Sequence, residues 1–500
     1  MGVSELIARI RDTGTVDSDE FEARVAEEAA ELKDELRLGT FDNHQSIVGL
    51  EYEFYAVDEQ TNALKRVPRR LVEFIGFEEE LGLHNAEMQT TPEPLSAHGI
   101  RAIEAEVQAK LEAAQNELSA HGMCLLSDGL WTVPPVGESA SDYLTSSVVE
   151  DGVRLATNMS DSVRYHAMTN TEFGGDLELS APHVSLESET VLPESLITSI
   201  QPHYQVPTAE DLPAHFRHAL RVAAPLLALS VNSPFFPPDL YVGDPDEILA
   251  GCPMENRIDV FESVLNPRDA PKVRFPRDIE SCEGAVDRIA ADTTIVPMMQ
   301  DSEGRYDDRF AHFRHTHGTY WRWVRPVFDG ATRGAANARI ELRPLAAQPT
   351  VRGSVALLAV FAGLMESMPR RDHPAGDLDW DRARRNFYAA AADGLQAELD
   401  WRTQDGRATS KIETIYEDLF AAARDGLRLR GFDDAACEYY ISPLRERITE
   451  RVTPARWKYD RVHDSVEAGV PFTEAVWEMQ SAYVDRQRET LVTGCFTEWL

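Results

Sequence analysis

The sequence, 500 residues long, predicts an α+β protein with a helical C-terminal region. Segments of alternating polar and apolar residues, typical of strands with one buried face, recur between long amphipathic helical patterns. From about residue 377 to the end the pattern is helical throughout. We expect an N-terminal helical segment over 1–44, a main domain over 45–375 and a helical region over 376–500. The last region is expected to pack beside the main domain or against another subunit of a homo-oligomer.

The first predicted element is an amphipathic helix over residues 18–38, which Ser18 caps and Gly39 ends. Its outer face is mostly acidic. We therefore expect it to pack on the outside of the main domain.

The strand over residues 48–57 is the centre of the predicted main domain. Aromatic and β-branched residues dominate it, and a polar turn follows. Side chains alternate between the two faces of a strand, so Glu51 and Glu53 point one way while Tyr52 and Phe54 point the other. A hard cation such as Mg²⁺ would relieve the repulsion between the two acids. The alternative is the solvated face of an edge strand.

A second strand over 84–90 has Glu87 and Gln89 on one face, and a proline turn ends it. A single acid in this position is otherwise a surface residue. A helix over 98–121 follows and ends at Gly122. Residues 127–190 are rich in Pro, Gly and Ser, and they predict long loops suited to covering a substrate site.

The third strand candidate, over 195–206, contains His203, with Gln201 and Gln205 on the same face. The His is either a metal ligand or a hydrogen-bonded structural residue. Pro202 has no N–H for the ladder, so we expect an edge position or a bulge.

Two helices follow this strand. The first opens with a capping-box pattern at Thr208, is apolar enough to be well buried, and ends at Asn232-Ser233-Pro234. The second, near 255–265, carries Arg257.

The region over 312–345 predicts two strands joined by a Gly-rich loop, and a buried helix follows over 349–368. On the second strand, Arg339, Glu341 and Arg343 share one face. A carboxylate between two guanidiniums suits holding a metal and a phosphate together, because the Arg fork matches phosphate oxygens. The alternative is a salt-bridged strand face.

Several motifs are missing from the sequence: the P-loop, the dinucleotide fingerprint, the nucleophile elbow and the HExxH zinc helix. We therefore expect that any bound nucleotide is held by an acid-bound metal and by arginines on strands.

Acidic residues number 85 against 49 basic ones, which gives a formal net charge of −36, and only six of the basic residues are Lys. This balance favours a halophilic protein, adapted to a salt-rich cytoplasm where ions screen the self-repulsion of the chain. A merely acidic protein is the less specific interpretation. No basic stripe is visible, which argues against a nucleic-acid partner.

The five cysteines are widely spaced and form no CxxC pair, which indicates reduced intracellular thiols. The N-terminus has no apolar signal region, and no run approaches transmembrane length. We therefore expect a cytoplasmic protein with no membrane partner.

Five segments, in the right order, resemble the glutamate–cysteine ligase type 2 family, which includes carboxylate–amine ligases of unassigned substrate. They are Gly49-Leu50-Glu51-Tyr52-Glu53, Glu87-Met88-Gln89-Thr90-Thr91-Pro92, Gln201-Pro202-His203-Tyr204, Asn232-Ser233-Pro234 with Arg257 beyond it, and Glu341-Leu342-Arg343. The likeness covers roughly residues 45–370.

The resemblance implies a mostly antiparallel sheet, curved into a saddle like the catalytic domain of glutamine synthetase, with helices on its outer face. Its polar face would bind ATP and Mg²⁺. The implied metal ligands are Glu51, Glu53, Glu87, His203 and Glu341. Arg343 would hold the γ-phosphate, Arg257 a phosphate or a substrate carboxylate, and Arg339 a further part of the nucleotide; Glu341 and Arg343 would be the catalytic pair.

The implied reaction is that of an ATP- and Mg²⁺-dependent carboxylate–amine ligase. It activates the carboxylate of glutamate or a similar small amino acid as an acyl phosphate and forms an amide with an amine such as cysteine. The chain departs from the family at Tyr204-Gln205, where a second His is common, and at Ala346, where an Asp is common. Two other functions stay open: a non-catalytic nucleotide-binding relative that acts as a partner protein, and a metal-dependent amide hydrolase.

Overall fold

The computed structural model describes residues 2–171, 177–266, 271–300 and 304–500. Its helices are α1 Val3–Thr13, α2 Ser18–Arg37, α3 Arg69–Phe74, α4 Ala97–Ser119, α5 Ala140–Thr145, α6 Val163–Thr169, α7 Leu212–Ser230, α8 Pro245–Ala250, α9 Arg257–Val264, α10 Cys282–Ala290, α11 Ala311–His317, α12 Val351–Ser367, α13 Trp380–Asp393, α14 Ile412–Leu429, α15 Asp434–Glu450, α16 Pro454–Glu467 and α17 Phe472–Thr490. Its strands are β1 Ile47–Asp58, β2 Glu78–Glu79, β3 Asn85–Gln89, β4 Glu93–Pro94, β5 Met123–Leu126, β6 Ser147–Glu150, β7 Val153–Ala156, β8 Leu177–Ala181, β9 Val184–Ser188, β10 Ile200–Val206, β11 Val324–Asp329, β12 Asn337–Leu342, β13 Trp401–Arg402 and β14 Ala408–Thr409.

The main sheet has eight strands in the order β11-β12-β10-β1-β3-β2, with β4 and β5 also paired to β1. Every pairing in it is antiparallel. The sheet curls into a half-barrel. The α+β class and the curved antiparallel sheet are therefore confirmed, and the predicted central strand does lie at the centre.

The two faces of β1 differ as the alternation predicts. Leu50, Tyr52 and Phe54 are buried, with at most 2% of their surface exposed, whereas Glu51 and Glu53 are half-buried on the opposite face. Helices α7 and α12 pack against β10, β11 and β12. The sheet thus has one face on a helical core and one polar face.

Pro202 lies in a central strand, so the expected edge position is wrong. It pairs with Leu50 of β1, and the pairing of β10 with β12 begins only at the next residue, His203. The missing N–H therefore removes no bond from the β10–β12 ladder, which begins at His203. The strand itself starts at Ile200, since residues 192–196 form a short 3₁₀ helix.

The stretch over 127–190 contains more regular structure than the loops predicted for it. Within the described residues it forms two short helices, α5 and α6, the β6–β7 hairpin and the β8–β9 hairpin. Residues 172–176 lie outside the described part of this stretch.

Helix α12 is the buried helix predicted over 349–368. The 21-residue stretch Val351–Arg371 has the length and hydropathy of a membrane span, so the expectation that no run approaches that length is wrong by this measure. Its burial explains the composition: 94% of the apolar window is enclosed by the protein, chiefly by α14, α15 and the sheet. One such helix, buried in this way, is weak evidence for a membrane span.

The C-terminal region is helical as predicted, apart from the small β13–β14 hairpin. The largest hydrophobic cluster includes Leu32, Phe54, Phe387 and Ile415, which come from all three predicted regions. The boundaries at 44 and 375 themselves stay a prediction. The five cysteines are all free thiols.

Candidate metal and phosphate site

The polar face of the sheet is made of alternate residues from adjacent strands. The register sets Glu51 opposite Gln201, Glu53 opposite Glu87, and His203 opposite Glu341. Because a strand directs every second side chain to the same face, these groups project together although 290 positions separate Glu51 from Glu341. Six of the eight residues predicted for the site lie on this face of β1, β3, β10 and β12, and a seventh, Arg343, directly follows β12.

Glu51, His203 and Glu341 form the most compact part of the site. Their nearest ligand atoms all lie within 4.8 Å of one another, and Glu51 Oε1 is 3.2 Å from His203 Nε2. That nitrogen is buried and forms no hydrogen bond with any residue that the structure describes. Burial opposes ionisation of Glu51, but the adjacent imidazole outweighs it and lowers the pKa of this carboxyl. The group offers two carboxylate oxygens and an open nitrogen, a donor set that fits a divalent cation.

Glu341 is held between two arginines. Arg325 Nε donates to Glu341 Oε2 at 2.9 Å, and Arg343 Nη1 donates to Glu341 Oε1. Although burial raises it, the pKa of Glu341 is well below its ordinary value because of the two guanidiniums. Arg343 also donates to Gln201 Oε1 at 2.6 Å, while its buried Nε has no hydrogen-bond partner among the described ranges of the chain. Arg343 therefore retains a free donor.

Both carboxylate oxygens of Glu53 accept hydrogen bonds. Its Oε2 accepts from the Ser199 N–H at 2.7 Å, and its Oε1 accepts from Ser199 Oγ at 2.9 Å and Gln201 Nε2 at 3.0 Å. Burial and the negative charge of Glu80 raise the pKa of Glu53 to about 7. In the absence of a cation, Glu53 is therefore often protonated at neutral pH.

Two further acids, Glu80 and Glu194, belong to the same cluster. Glu80 and Glu87 are hydrogen-bonded to each other, and burial raises the pKa of both. Burial, with the charges of Glu80 and Glu53, also raises the pKa of Glu194. The carboxyls of five residues repel one another: Glu51, Glu53, Glu80, Glu87 and Glu194. Together with the Glu51–His203–Glu341 group, this repulsion fits a site for divalent cations.

Glu80 and Glu194 were not predicted from the sequence. Glu80 is the last of three consecutive acids, of which the first two form strand β2. Glu194 lies in a 3₁₀ helix. Neither position has the polar–apolar alternation that identified Glu51 and Glu53. A run of acids without periodicity is the only signal that pointed toward Glu80.

Arg339 contacts the site from its outer edge. Its Nε donates to His203 Nδ1 at 3.1 Å, and its Nη1 donates to Asp329 Oδ1 at 2.6 Å. A neutral imidazole binds a cation through its unprotonated nitrogen, so a cation at Nε2 requires the proton on Nδ1, and Arg339 Nε must then leave Nδ1.

Arg257 lies deeper than the other predicted residues. It is 2% exposed, and its Nη1 donates to the Pro344 carbonyl at 3.0 Å and approaches Glu255 at 3.5 Å. Its charge nonetheless acts on the site, because it opposes the rise in the pKa of Glu53. Its predicted contact with a phosphate or substrate stays a prediction.

The two positions that depart from the family pattern have ordinary structural contacts. Gln205 donates to the Gln45 carbonyl at 2.8 Å. Ala346 is fully buried and forms a β-bridge with Ser199, the residue that binds Glu53. Neither residue supplies a charge to the site.

A sequence model described as glutamate-cysteine ligase family 2 (GCS2) matches residues 47–485. The matched span includes all eight predicted site residues and extends through most of the C-terminal helices. A search of curated proteins gave no significant match.

Several solved structures have a similar overall chain trace. A glutamate–cysteine ligase from Francisella tularensis in complex with AMP has 13% identity and a TM-score of 0.47, over 90% of this chain and 91% of that one. A bifunctional glutathione synthetase from Pasteurella multocida has 13% identity and a TM-score of 0.43, over 92% of this chain and 55% of that one. The complex of the prokaryotic ubiquitin-like protein Pup with its ligase PafA gives 10% identity and a TM-score of 0.38, over 87% and 71%.

Proposed function

Since the chain belongs to glutamate–cysteine ligase family 2 and is a carbon–nitrogen ligase, we propose that it couples ATP hydrolysis to amide formation. The carboxylate of glutamate or a similar amino acid is phosphorylated by ATP, and an amine such as cysteine then displaces phosphate. Both organic substrates are small molecules. The observation that carries the proposal is the Glu51–His203–Glu341 group with the free donor of Arg343 beside it.

The chemistry explains why such a face is needed. A carboxylate does not react with an amine at neutral pH, because its carbon is a poor electrophile. Transfer of the γ-phosphoryl group to the carboxylate gives an acyl phosphate, which is a good one. Phosphoryl transfer depends chiefly on alignment and on neutralising charge, so positioned cations and guanidiniums supply most of the catalysis.

Mg²⁺ fits the donor set of this site. Glu51, His203 and Glu341 would hold it, together with the predicted ligands Glu53 and Glu87 and with Glu80. When bound, Mg²⁺ supplies positive charge that neutralises the triphosphate and the acid cluster.

The arginines of this chain have separate tasks. Arg343 donates to the transferred phosphoryl group through its free Nε while its Nη1 stays on Glu341 and Gln201. Arg325 binds Glu341 from the neighbouring strand and keeps that carboxylate ionised and oriented. Arg343 is therefore proposed as a catalytic residue and Arg325 as a positioning residue.

The experiment measures ADP release by the full-length protein with Mg²⁺ and ATP in high KCl, while amino acids and amines are varied in pairs. We expect release that requires both a carboxylate and an amine. ATP binding without release would favour the non-catalytic relative, for which Ala346 is the motivating departure. Amide cleavage without ATP would favour the hydrolase.

Glu51→Gln is the informative variant. It removes one ligand charge from a half-buried residue that has no arginine partner, so we expect the fold to persist and ADP release to fall by about 10²-fold or more. Glu341→Gln is less informative, because it leaves the largely buried guanidiniums of Arg325 and Arg343 without their carboxylate partner and so destabilises the protein. Glu117→Gln, at an exposed position on α4, is the matched control and should retain full activity. Equal rates for Glu51→Gln and Glu117→Gln would remove Glu51 from the mechanism.

We further propose that the protein works in a salt-rich cytoplasm, without a nucleic-acid or membrane partner. The net charge of −36 supports this, since it repels both nucleic acid and anionic lipid. The assembly state, a monomer or a homo-oligomer, is measured directly by light scattering on the purified full-length protein.

A further inference from the structure

A second cavity, with a volume of about 740 Å³, lies between α9, α10, α13 and the segments around 271–277 and 320–322. Five arginines line it: Arg274, Arg277, Arg288, Arg322 and Arg384. Among the residues that the structure describes, two acids line it, Glu262 and Asp292. In a chain with a net charge of −36, a cavity with an excess of positive charge is unexpected.

Both acids of the cavity are already bound by other groups. Asp292 pairs with Arg322, at 2.7 Å, and with Lys272. Glu262 Oε1 accepts from Trp323 Nε1 at 2.7 Å and from the Tyr388 hydroxyl at 2.8 Å. In the described part of the chain, neither acid forms an ion pair with the other four arginines of the cavity.

Four of the guanidiniums, those of Arg274, Arg277, Arg288 and Arg384, form no ion pair with a carboxylate in the part of the chain that the structure describes. Partial burial and the proximity of Arg322 lower the pKa of Arg274, although the charge of Asp292 opposes this. The cavity therefore has an unbalanced positive charge.

Aromatic rings hold several of these guanidiniums in place. Arg277 lies 3.8 Å from the centroid of Trp380, and Arg384 lies 4.9 Å from that of Tyr388. A guanidinium stacked on a ring keeps its N–H edge free for an acceptor. Arg288 Nη1 donates to the Arg277 carbonyl at 3.2 Å, which ties two sides of the cavity together. The donors are thus ordered before any ligand arrives.

Helix α9 separates this cavity from the candidate metal and phosphate site. Phe261 of α9 contacts Arg343, whose guanidinium carbon is 5.9 Å from the ring centroid. The next residue, Glu262, faces the second cavity instead. The two sites therefore lie on different sides of one helix.

We propose that this arginine-lined cavity binds a small polyanion that carries phosphate groups, at a site separate from the catalytic one. Guanidinium forks match phosphate oxygens in geometry and charge, and several ordered forks around one cavity favour a ligand with at least two phosphates. Binding here requires no metal, because the cavity supplies its own positive charge. The proposal does not depend on the ligase function.

In the test, inorganic pyrophosphate is titrated into the full-length protein and its binding is measured by isothermal titration calorimetry. The buffer contains EDTA and the lowest KCl concentration at which the protein stays folded. Under these conditions the acid cluster of the catalytic site repels phosphate, so binding reports the second cavity. We expect saturable binding of one pyrophosphate per chain. The affinity should be at least tenfold lower in Arg384→Gln and in the double variant Arg274→Gln/Arg288→Gln. Arg385→Gln, the exposed neighbour on α13 that does not line the cavity, should bind like the parent.

A second measurement needs no variant. Phenylglyoxal modifies exposed guanidiniums, and mass spectrometry should show that pyrophosphate protects Arg274, Arg277 and Arg384 but not Arg385. ADP and citrate distinguish the chemistry: ADP should compete with pyrophosphate, and citrate should compete at least tenfold less well. No metal-free binding, equal binding by the variants and the parent, or citrate as good as pyrophosphate would each overturn the proposal.

Discussion

At the scale of single residues, two acids on one strand have opposite electrostatic environments. His203 lowers the pKa of Glu51 against the effect of burial, whereas burial and Glu80 raise the pKa of Glu53 to about 7. The strand alone presents them as equivalent, since both point the same way. His203 on β10 favours the ionised form of Glu51, whereas Glu80, which follows β2, favours the protonated form of Glu53.

Glu53→Gln should stabilise the metal-free protein at high pH. The native pKa of about 7 exceeds the ordinary 4.5, so native protein binds more protons than unfolded protein between these values, and stability falls as pH rises through this window. The neutral amide avoids this loss. We expect the variant to gain ~1–3 kcal/mol in unfolding free energy at pH 8 and little at pH 4.5.

Urea denaturation in EDTA at both pH values measures the gain, and Glu78→Gln serves as the exposed control. A gain of the same size at both pH values would show that charge on Glu53 is not its cause. In Mg²⁺ the advantage of the variant should shrink, because the cation relieves the same repulsion.

Arg339→Met distinguishes two roles for Arg339. If its main effect is the bond to His203 Nδ1, the variant frees that nitrogen to carry the proton and removes a nearby positive charge. The Mg²⁺ concentration for half-maximal activity should then fall several-fold. A phosphate-binding role predicts the opposite pattern, an unchanged Mg²⁺ requirement with a raised KM for ATP, and steady-state kinetics at varied Mg²⁺ separates the two.

At the scale of elements, the buried helix α12 supports the sheet from its apolar side. Its Glu366 is fully buried, pairs with Arg430 of the loop after α14 at 2.8 Å, and accepts from Tyr204 of β10 at 2.8 Å. Tyr204 is adjacent along β10 to His203, a proposed metal ligand. The position of α12 against α14 therefore determines the placement of the strand that carries the site.

Gly426→Ala should destabilise the contact between α12 and α14. A methyl group at this position would lie 1.8 Å from the Gly363 carbonyl oxygen, and backbone cannot move aside cheaply. Overpacking of this kind costs about 1–3 kcal/mol or more. Gly334→Ala, where nothing lies within 4 Å of the added carbon, is the matched control.

Urea midpoints of the two glycine variants, compared with the parent, measure the cost. A Gly426→Ala midpoint equal to that of Gly334→Ala would mean that the two helices are not in the close contact described here.

At the scale of the whole molecule, charge is the dominant feature. The chain has 36 more acidic than basic residues, and many arginines are engaged in ion pairs with acids. Self-repulsion opposes the compact state, and salt screens it over about 10 Å at 0.1 M and about 3 Å at 1 M. This is the physical basis for expecting a salt-dependent protein.

The melting temperature should rise steeply between 0.1 M and 2 M KCl. Because exclusion of solutes from the surface also stabilises proteins, sucrose at equal water activity is the control. A rise equal to that in sucrose, or none, would show that charge screening is not limiting and would favour the interpretation of a merely acidic protein.

Much of the site could be predicted from the sequence because β-strands impose a period of two. Glu51, Glu53, Glu87, His203, Glu341 and Arg343 all came from that alternation together with the family resemblance, and all lie on one face. Glu80 and Glu194 were missed because turns impose no such period. An edge position or a bulge was expected for Pro202 because the sequence of one strand does not reveal where its pairing with each neighbour begins.

The sequence by itself determined which face of each strand is polar, the α+β class, the charge and the family, because these follow from local periodicity, composition and residue order. Only the tertiary structure decided which acids meet across strands, which of them hold protons, and that five arginines surround a second cavity. The physical reason is that electrostatic interaction depends on distance in space, and the groups that act on one another here are brought together by strand pairing and helix packing.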